Sequence, residues 1–338
     1  MVFQRVGVVM GGSSGEREIS LRSGNAIADA LEDRGYDVVR IDLQPEKDWS
    51  SLLRQAKIDV AFLSLHGSLG EDGCVQGICE VLAIPYSGSS VLSSALAMDK
   101  VKAKELFRQH NVPTPPYYVV SETDDLTDIE EIHGCFGFPV VVKPRSEGSS
   151  LGMRKVNRAA DLGDAIRNAL QYDDVVLVER FIAAREINVG ILNGRVLGAI
   201  EIAPKHGIYD YEAKYTPGMT DYHLPARLPP TRYLGVLNLA ERAAAALGCS
   251  GACRVDLLVT EAENEYVLEV NTLPGMTETS LLPKIASGAG YSFSELCDAM
   301  LKSARLHTKP NRRKNAEPRI ESSVELFPKQ REILAKAV

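Results

Sequence analysis

Short apolar runs and amphipathic stretches alternate over the first hundred residues. Residues 5–10 form an apolar run with the composition of a buried strand, and the loop GGSSGERE (11–18) follows it. Helical periodicity covers 19–33 and stops at Gly35. A strand at 37–41, a helix near 49–55 and a strand at 60–65 continue the pattern. Such alternation predicts a parallel α/β sheet with ligand loops at the strand carboxyl ends. The two loops there, GGSSGERE and HGSLGEDG (66–73), are rich in glycine and charge. The first domain is expected to close near Met98.

A helix over 99–110 leads into a proline-punctuated stretch, 112–118. Beyond it the pattern predicts a strand ending at Lys143, a glycine-serine loop and a strand around 153–156. A helix over 161–172 and a strand at 175–179 follow. Residues 186–191 and 195–202 flank Asn193-Gly194, a strong hairpin signal. The segment 204–228 is polar and aromatic with little periodicity and reads as one long functional loop. A helix over 233–247 precedes two further strands, and an amphipathic helix, 293–304, ends the globular part.

The two late strands, CRVDLLVT (253–260) and EYVLEVNTLPG (265–275), are joined by the polar turn 261–264. In an antiparallel hairpin, alternation puts Val255, Leu257, Val259, Tyr266, Leu268 and Val270 on one apolar face. The opposite face then carries Arg254, Asp256, Glu269 and Asn271, with Asp256 opposite Glu269. Facing carboxylates repel unless a cation or a shared proton lies between them. With the Asn271 oxygen added, the set suits Mg²⁺, which takes one or two carboxylates together with substrate phosphates.

Composition changes this picture little. The 338 residues exceed one compact core and predict two or three domains. Forty-five per cent hydrophobic and 25 per cent charged residues fit a soluble globular protein. A net charge of −7 argues against a nucleic-acid binder, which normally carries a basic footprint. The six cysteines lack CxxC spacing, so they read as reduced thiols of a cytoplasmic protein. The first apolar run is too short for a membrane span or signal peptide, so no membrane association is expected.

The loop KPRSEGSSLGM (143–153) follows an apolar strand. Its small residues allow backbone N–H groups close to phosphate oxygens, and Lys143 adds a compensating charge. Lys100 stands at a helix start, where a lysine opposes the helix dipole and gains nothing locally. Glu179 ends a strand before Arg180-Phe181-Ile182 and reads as a strand-exit glutamate or the start of a nucleotide hinge. His66 titrates near neutrality and is a candidate for acid–base work or for substrate orientation.

Residues 5–305 as a whole resemble the D-alanine–D-alanine ligases of the ATP-grasp superfamily. The resemblance is carried by GGSSGEREISLRSG, HGSLGEDG, SALAMDK, KPRSEGSSLGM, YDYEAKY, RVD and LEVNTLPGMTETSLLP, in that order. It implies three domains, with ATP held between two sheets. The expected divisions are 1–98 for substrate binding, 99–185 for the central part, and 186–305 for the C-terminal part with the metal hairpin. The tail, 306–338, lies outside the resemblance.

Carried over residue by residue, Lys100 and Lys143 would contact ATP phosphates. Glu179, Phe181 and the Ile182 backbone would hold adenine, and Glu186 the ribose. Asp256, Glu269 and Asn271 would bind two Mg²⁺ ions, with Mn²⁺ as a substitute. Glu16 would meet the ammonium of the first D-alanine, near His66, and Ser280 the carboxylate of the second. Arg254 and the Gly275 N–H would stabilise the oxyanion. Lys214 and Tyr215 would belong to a mobile loop, latched by Ser149, Tyr215 and Glu16. The implied activity is ATP-dependent formation of D-alanyl-D-alanine through an acylphosphate, for peptidoglycan synthesis, by a homodimer. The alternatives are a relative joining D-alanine to D-lactate, D-serine or another amino acid, and a nucleotide-binding regulatory pseudoenzyme. The sequence departs from the commonest family pattern at Ser68-Leu69 and at Glu278-Thr279.

Overall fold

The structure is a computed structural model that describes residues 3–205, 218–262 and 264–308. Residues 1–307 form one compact unit. Its first sheet has the order β2-β1-β3, built from β1 (Arg5–Gly11), β2 (Asp37–Leu43) and β3 (Val60–Leu63). All pairing is parallel, with Val6 beside Val38 on one side and Val60 on the other. β1 is buried from Val6 onward, as a central parallel strand covered on both faces should be. Helices α1 (Arg17–Glu32) and α2 (Trp49–Ala56) make the crossovers. Asp48 caps α2 by accepting from the Ser50 and Ser51 amides.

Two helices follow that the apolar pattern did not single out, α3 (Cys74–Leu82) and α4 (Val91–Met98). Then α5 (Lys100–Gln109) begins after a one-residue break at Asp99, whose carboxylate accepts from the Val101 and Lys102 amides. That carboxylate also pairs with Arg145. The anion at the cap offsets the unfavourable lysine in the first turn and fixes where Lys100 points.

The second sheet, order β4-β7-β5-β6, is antiparallel. It comprises β4 (Tyr117–Ser121), β5 (Val140–Pro144), β6 (Arg154–Val156) and β7 (Val175–Arg180). Helices α6 (Ile129–His133) and α7 (Leu162–Ala169) accompany it, and the Leu162 and Ile166 face of α7 packs against Val140, Val142, Val176 and Val178. The third sheet, order β10-β9-β8-β11-β12, is also antiparallel. It comprises β8 (Arg185–Leu192), β9 (Arg195–Pro204), β10 (Thr220–His223), β11 (Ala252–Val259) and β12 (Glu265–Asn271). The segments 1–98, 99–185 and 186–305 therefore carry one sheet each. The helices cross those limits. Phe107 of α5 packs into the core of the third sheet with α8 (Pro230–Ala246). Helix α9 (Leu281–Gly288) lies on β8 and β9 of the third sheet, and α10 (Phe293–Lys302) returns to pack on α1 of the first segment. A capping box between Ser292 and Glu295 starts α10.

Two expectations need correction. The segment 204–228 is not one long loop, because Thr220–His223 forms an edge strand paired with Glu201 to Pro204 of β9. Four residues are too few to show a period, so propensity alone could not reveal this strand. The hairpin face also differs. Asp256 does face Glu269, but the register shifts between Asp256 and Leu257, so Leu257 pairs with Val267 instead of Leu268. A β-bulge places two residues of one strand opposite one of the other and breaks the alternation there. Val267 and Val270 are buried in the core, whereas Tyr266 and Leu268 are not.

Candidate active site

The parallel sheet brings the loops after β1 and β3 together, because the two strands are direct neighbours with their carboxyl ends aligned. Ser20 Oγ accepts from the Gly11 amide and donates to the Ser64 carbonyl, and Ser14 Oγ donates to the His66 carbonyl at 2.7 Å. These bonds fix Glu16 and His66 on one wall of a cavity of about 140 Å³. Arg254, Asn271, Gly275 and Ser280 supply the facing wall. Ser280 precedes α9, and its Oγ accepts from the Thr277 amide at 2.9 Å. A Cβ on Gly275 would stand 2.9 Å from that Oγ, so an alanine there would have to displace the Ser280 hydroxyl.

A second, larger cavity of about 540 Å³ lies between the second and third sheets. Lys143, Glu179, Phe181, Ile182, Glu186 and Asp256 line it, together with the apolar Val141, Met153, Leu258 and Leu268. Lys100, Glu147, Gly148, Ser149 and Glu269 line both cavities, so the two spaces meet beside Lys100 and Glu269. Every sequence-predicted site residue within the described range therefore lines one cavity or the other. Lys214 and Tyr215 lie outside the described residues.

The bulge in the metal hairpin has a direct consequence. It turns Leu268 out of the core while Glu269 stays on the same side, so a leucine and a carboxylate both face the larger cavity. Arg254 holds Asp256 through two parallel bonds, Nε to Oδ1 and Nη2 to Oδ2, both 2.7 Å. The cation demanded by two facing carboxylates is thus partly an arginine. Among the described residues no cluster of three or more His, Cys, Asp or Glu assembles as a metal site. A cation here would rest on two carboxylates and the Asn271 amide, and would need substrate oxygens to complete its shell. That donor set fits Mg²⁺ with phosphate, since Mg²⁺ rarely sits in an all-protein cage.

The glycine-serine loop closes against the first domain. Ser149 Oγ donates to Glu16 Oε1, and Lys100 Nζ donates to the Glu147 carbonyl at 2.6 Å. Ser149 and Ser150 both have positive φ, 46° and 62°, an arrangement that costs roughly 1–3 kcal/mol per residue unless its surroundings enforce it. The bond to Glu16 is one such restraint. A Cβ on Gly148 would lie 2.8 Å from Glu16 Oε2, so Gly148→Ala must displace that carboxylate. We expect kcat/KM to fall about ten- to a hundredfold with little change in Tm. Steady-state kinetics beside a thermal melt check this, and an unchanged kcat/KM would remove Glu16 from the substrate wall.

Burial sets the protonation of the inner groups. The His66 imidazole is held below its usual range, chiefly by desolvation and further by nearby Arg254, although Glu16 opposes both. It is neutral near pH 7, and its Nε2 has no hydrogen-bond partner among the described residues. Glu71 was not anticipated from the sequence. Burial, followed by the neighbouring Glu16 charge, pushes its carboxyl up to about 8, against the Gly67 amide that donates to it at 2.7 Å. The only sequence signal for Glu71 was its place in HGSLGEDG, where a loop glutamate reads as solvated. Lys104 was missed for a similar reason. Its side chain is wholly buried against Glu179, one helical turn beyond Lys100.

Comparison with known proteins agrees with this arrangement. The model of the D-ala D-ala ligase N-terminus matches residues 5–57 and 50–89, and that of the D-ala D-ala ligase C-terminus matches 106–302. The D-alanine–D-alanine ligase of Geotalea uraniireducens is 50% identical over 305 residues, covering 90% of this chain and 96% of that protein. The crystal structure of the Bacillus anthracis D-alanine–D-alanine ligase is 39% identical with a TM-score of 0.79, covering 89% of this chain and 97% of that one. A Bacillus anthracis D-alanine–D-alanine ligase complexed with ATP superimposes with a TM-score of 0.77 at 35% identity, over 89% of this chain and 97% of that one. The chain therefore belongs to the D-alanine–D-alanine ligase family and has its ATP-grasp fold.

Proposed function

We propose that this protein joins two molecules of D-alanine to D-alanyl-D-alanine, converting ATP to ADP and phosphate, for peptidoglycan synthesis. The observation that carries the reading is the junction of the two cavities. A polar space with carboxylate and arginine walls opens into a larger, partly apolar slot at Lys100 and Glu269. A small zwitterion in the first and a nucleotide in the second would meet at the γ-phosphate.

In this reading the apolar slot takes adenine, with Glu179, Phe181 and the Ile182 backbone at its edge and Glu186 at the ribose hydroxyls. Lys143 and Lys100 lie along the phosphates, where fixed cations offset charge that grows during transfer. Asp256, Glu269 and Asn271 would hold Mg²⁺, whose contribution is to neutralise phosphate charge. Glu16 takes the ammonium of the first D-alanine and leaves its carboxylate aimed at the junction. A carboxylate oxygen attacks the γ-phosphorus, the bond to ADP breaks, and an acylphosphate forms. The amine of the second D-alanine, held through its carboxylate by Ser280, attacks the acyl carbon. Arg254 and the Gly275 N–H stabilise the resulting oxyanion. Arg254 also holds Asp256 through two of its N–H donors, which fixes the orientation of its guanidinium. Phosphate leaves as the tetrahedral intermediate collapses.

Because an acylphosphate hydrolyses readily, closure over the site is part of the reaction. The contact of Ser149 with Glu16 supports a latch, which Tyr215 would complete. We place the enzyme in the cytoplasm as a homodimer. No helix among the described residues is long and apolar enough to cross a membrane, and light scattering should return twice the chain mass.

Phosphate release measured with ATP and Mg²⁺ tests the function directly. D-Alanine should support release and dipeptide formation, while D-lactate, D-serine and L-alanine should support little. Absence of D-alanine-dependent phosphate would end this reading, and a preference for D-lactate or D-serine would move it to a neighbouring specificity.

A further inference from the structure

Three charged side chains meet beneath the nucleotide slot. Glu179 on β7 is 4% exposed at its side chain and is shared by two lysines. Lys143 reaches Oε1 at 2.7 Å from the neighbouring strand β5, and Lys104 of α5 pairs with Oε2 from the opposite side. The two lysines differ in freedom. Lys143 is 12% exposed and lines the cavity, whereas Lys104 is completely buried and donates to Thr114 Oγ1 at 2.6 Å. The Tyr117 ring lies 5.6 Å from the Lys104 ammonium and closes the space behind it.

Two cations on one buried carboxylate is more than charge balance needs, and desolvating a lysine is costly. The arrangement becomes useful once Lys143 must also serve phosphate. When Lys143 swings to a nucleotide, Glu179 would lose half of its compensation in a site that disfavours the charged carboxyl. Resting on the reading that Glu179 faces adenine, we propose that Lys104 is a positioning residue for base selection. It is the fixed cation that keeps Glu179 ionised and oriented while Lys143 moves to the phosphates.

The chemistry follows from what a carboxylate can do. An ionised Glu179 accepts only, so it suits the exocyclic amine of adenine and repels the O6 carbonyl of guanine. A protonated or displaced Glu179 would donate or turn away, and that discrimination would shrink. Sites built around a hydrogen-bonding partner reject a ligand lacking it strongly, because the buried group is left unpaired. Lys104 touches neither base nor phosphate and acts through Glu179 alone.

The test is ADP and GDP binding by calorimetry, which needs no turnover, to the full chain and to Lys104→Met, Glu179→Gln and the double variant. Lys104→Met should weaken ADP binding about tenfold and lower the ADP-over-GDP preference by a similar factor. In the Glu179→Gln background the same change should have little further effect, because the carboxylate it serves is gone. If Lys104→Met does not fold, Thr114→Val serves instead, loosening the lysine without removing its charge, and should lower the preference in the same direction. A folded Lys104→Met, or failing that Thr114→Val, with wild-type ADP affinity and base preference overturns the proposal. So does full additivity with Glu179→Gln. A Glu179→Gln variant that keeps the wild-type base preference would instead overturn the adenine assignment itself.

Discussion

Glu269→Gln is expected to remove turnover while leaving the protein folded. Glu269 stands opposite Asp256 on the hairpin and lines both cavities, where the transferred phosphoryl group would lie. Glutamine keeps the shape and one oxygen but removes the negative charge, so on the proposed metal assignment the site would lose much of its hold on Mg²⁺. We expect kcat to fall at least about 10²–10³-fold, the scale seen when a preorganised electrostatic group is removed. The Mg²⁺ concentration for half-maximal activity should rise. Stability should move the other way. Facing carboxylates repel, so neutralising one should leave Tm unchanged or slightly higher. That opposition makes the result diagnostic: a dead enzyme with an intact melt implicates the site and not the fold. Near-wild-type kcat would refute the metal assignment.

The second large effect concerns Arg254. Its guanidinium holds Asp256 at two points, and the side chains are 15% and 8% exposed. Arg254→Met would remove the two-point clamp on Asp256, and breaking such a pair in one direction costs about 3 kcal/mol. Arg254→Lys retains a charge but replaces a planar fork by a single point, which cannot both clamp Asp256 and reach an oxyanion. We expect kcat to drop about 10²–10³-fold in both variants, with only the methionine form losing substantial Tm. The KM for ATP should change by less than about threefold if Arg254 serves the second step. A raised KM for ATP with unchanged kcat would make it a nucleotide contact instead.

Much of the site was legible because each part sits on a short element with strong local rules. The pairing of Asp256 with Glu269 follows from a short hairpin and strand alternation, and the structure keeps it. The prediction held at that pair and failed at the next residue, Leu257. A bulge depends on how both faces pack, and Leu268 was drawn to the cavity side while Val267 took its place in the core. Alternation counts residues and cannot see such a register shift. The loops GGSSGERE and HGSLGEDG were identified by composition, yet the roles of Glu71 and Lys104 were not. An ionisable residue in a loop or helix is solvated by default, and only the surrounding fold can bury it.

The sequence by itself determined the alternating elements of the first domain, the carboxylate pair, the glycine-serine loop and, through the order of its motifs, the family. These are local properties, set by periodicities of 2 and 3.6 and by residue chemistry within about ten positions. The tertiary structure alone decided what came together from far apart. Ser149 meets Glu16 across 133 positions, Lys104 packs behind Glu179, and Phe107 of the central segment joins the core of the third sheet. The protonation of His66 and Glu71 belongs to the same class. Burial and neighbouring charge set it, and both arise only when separate loops close on one another.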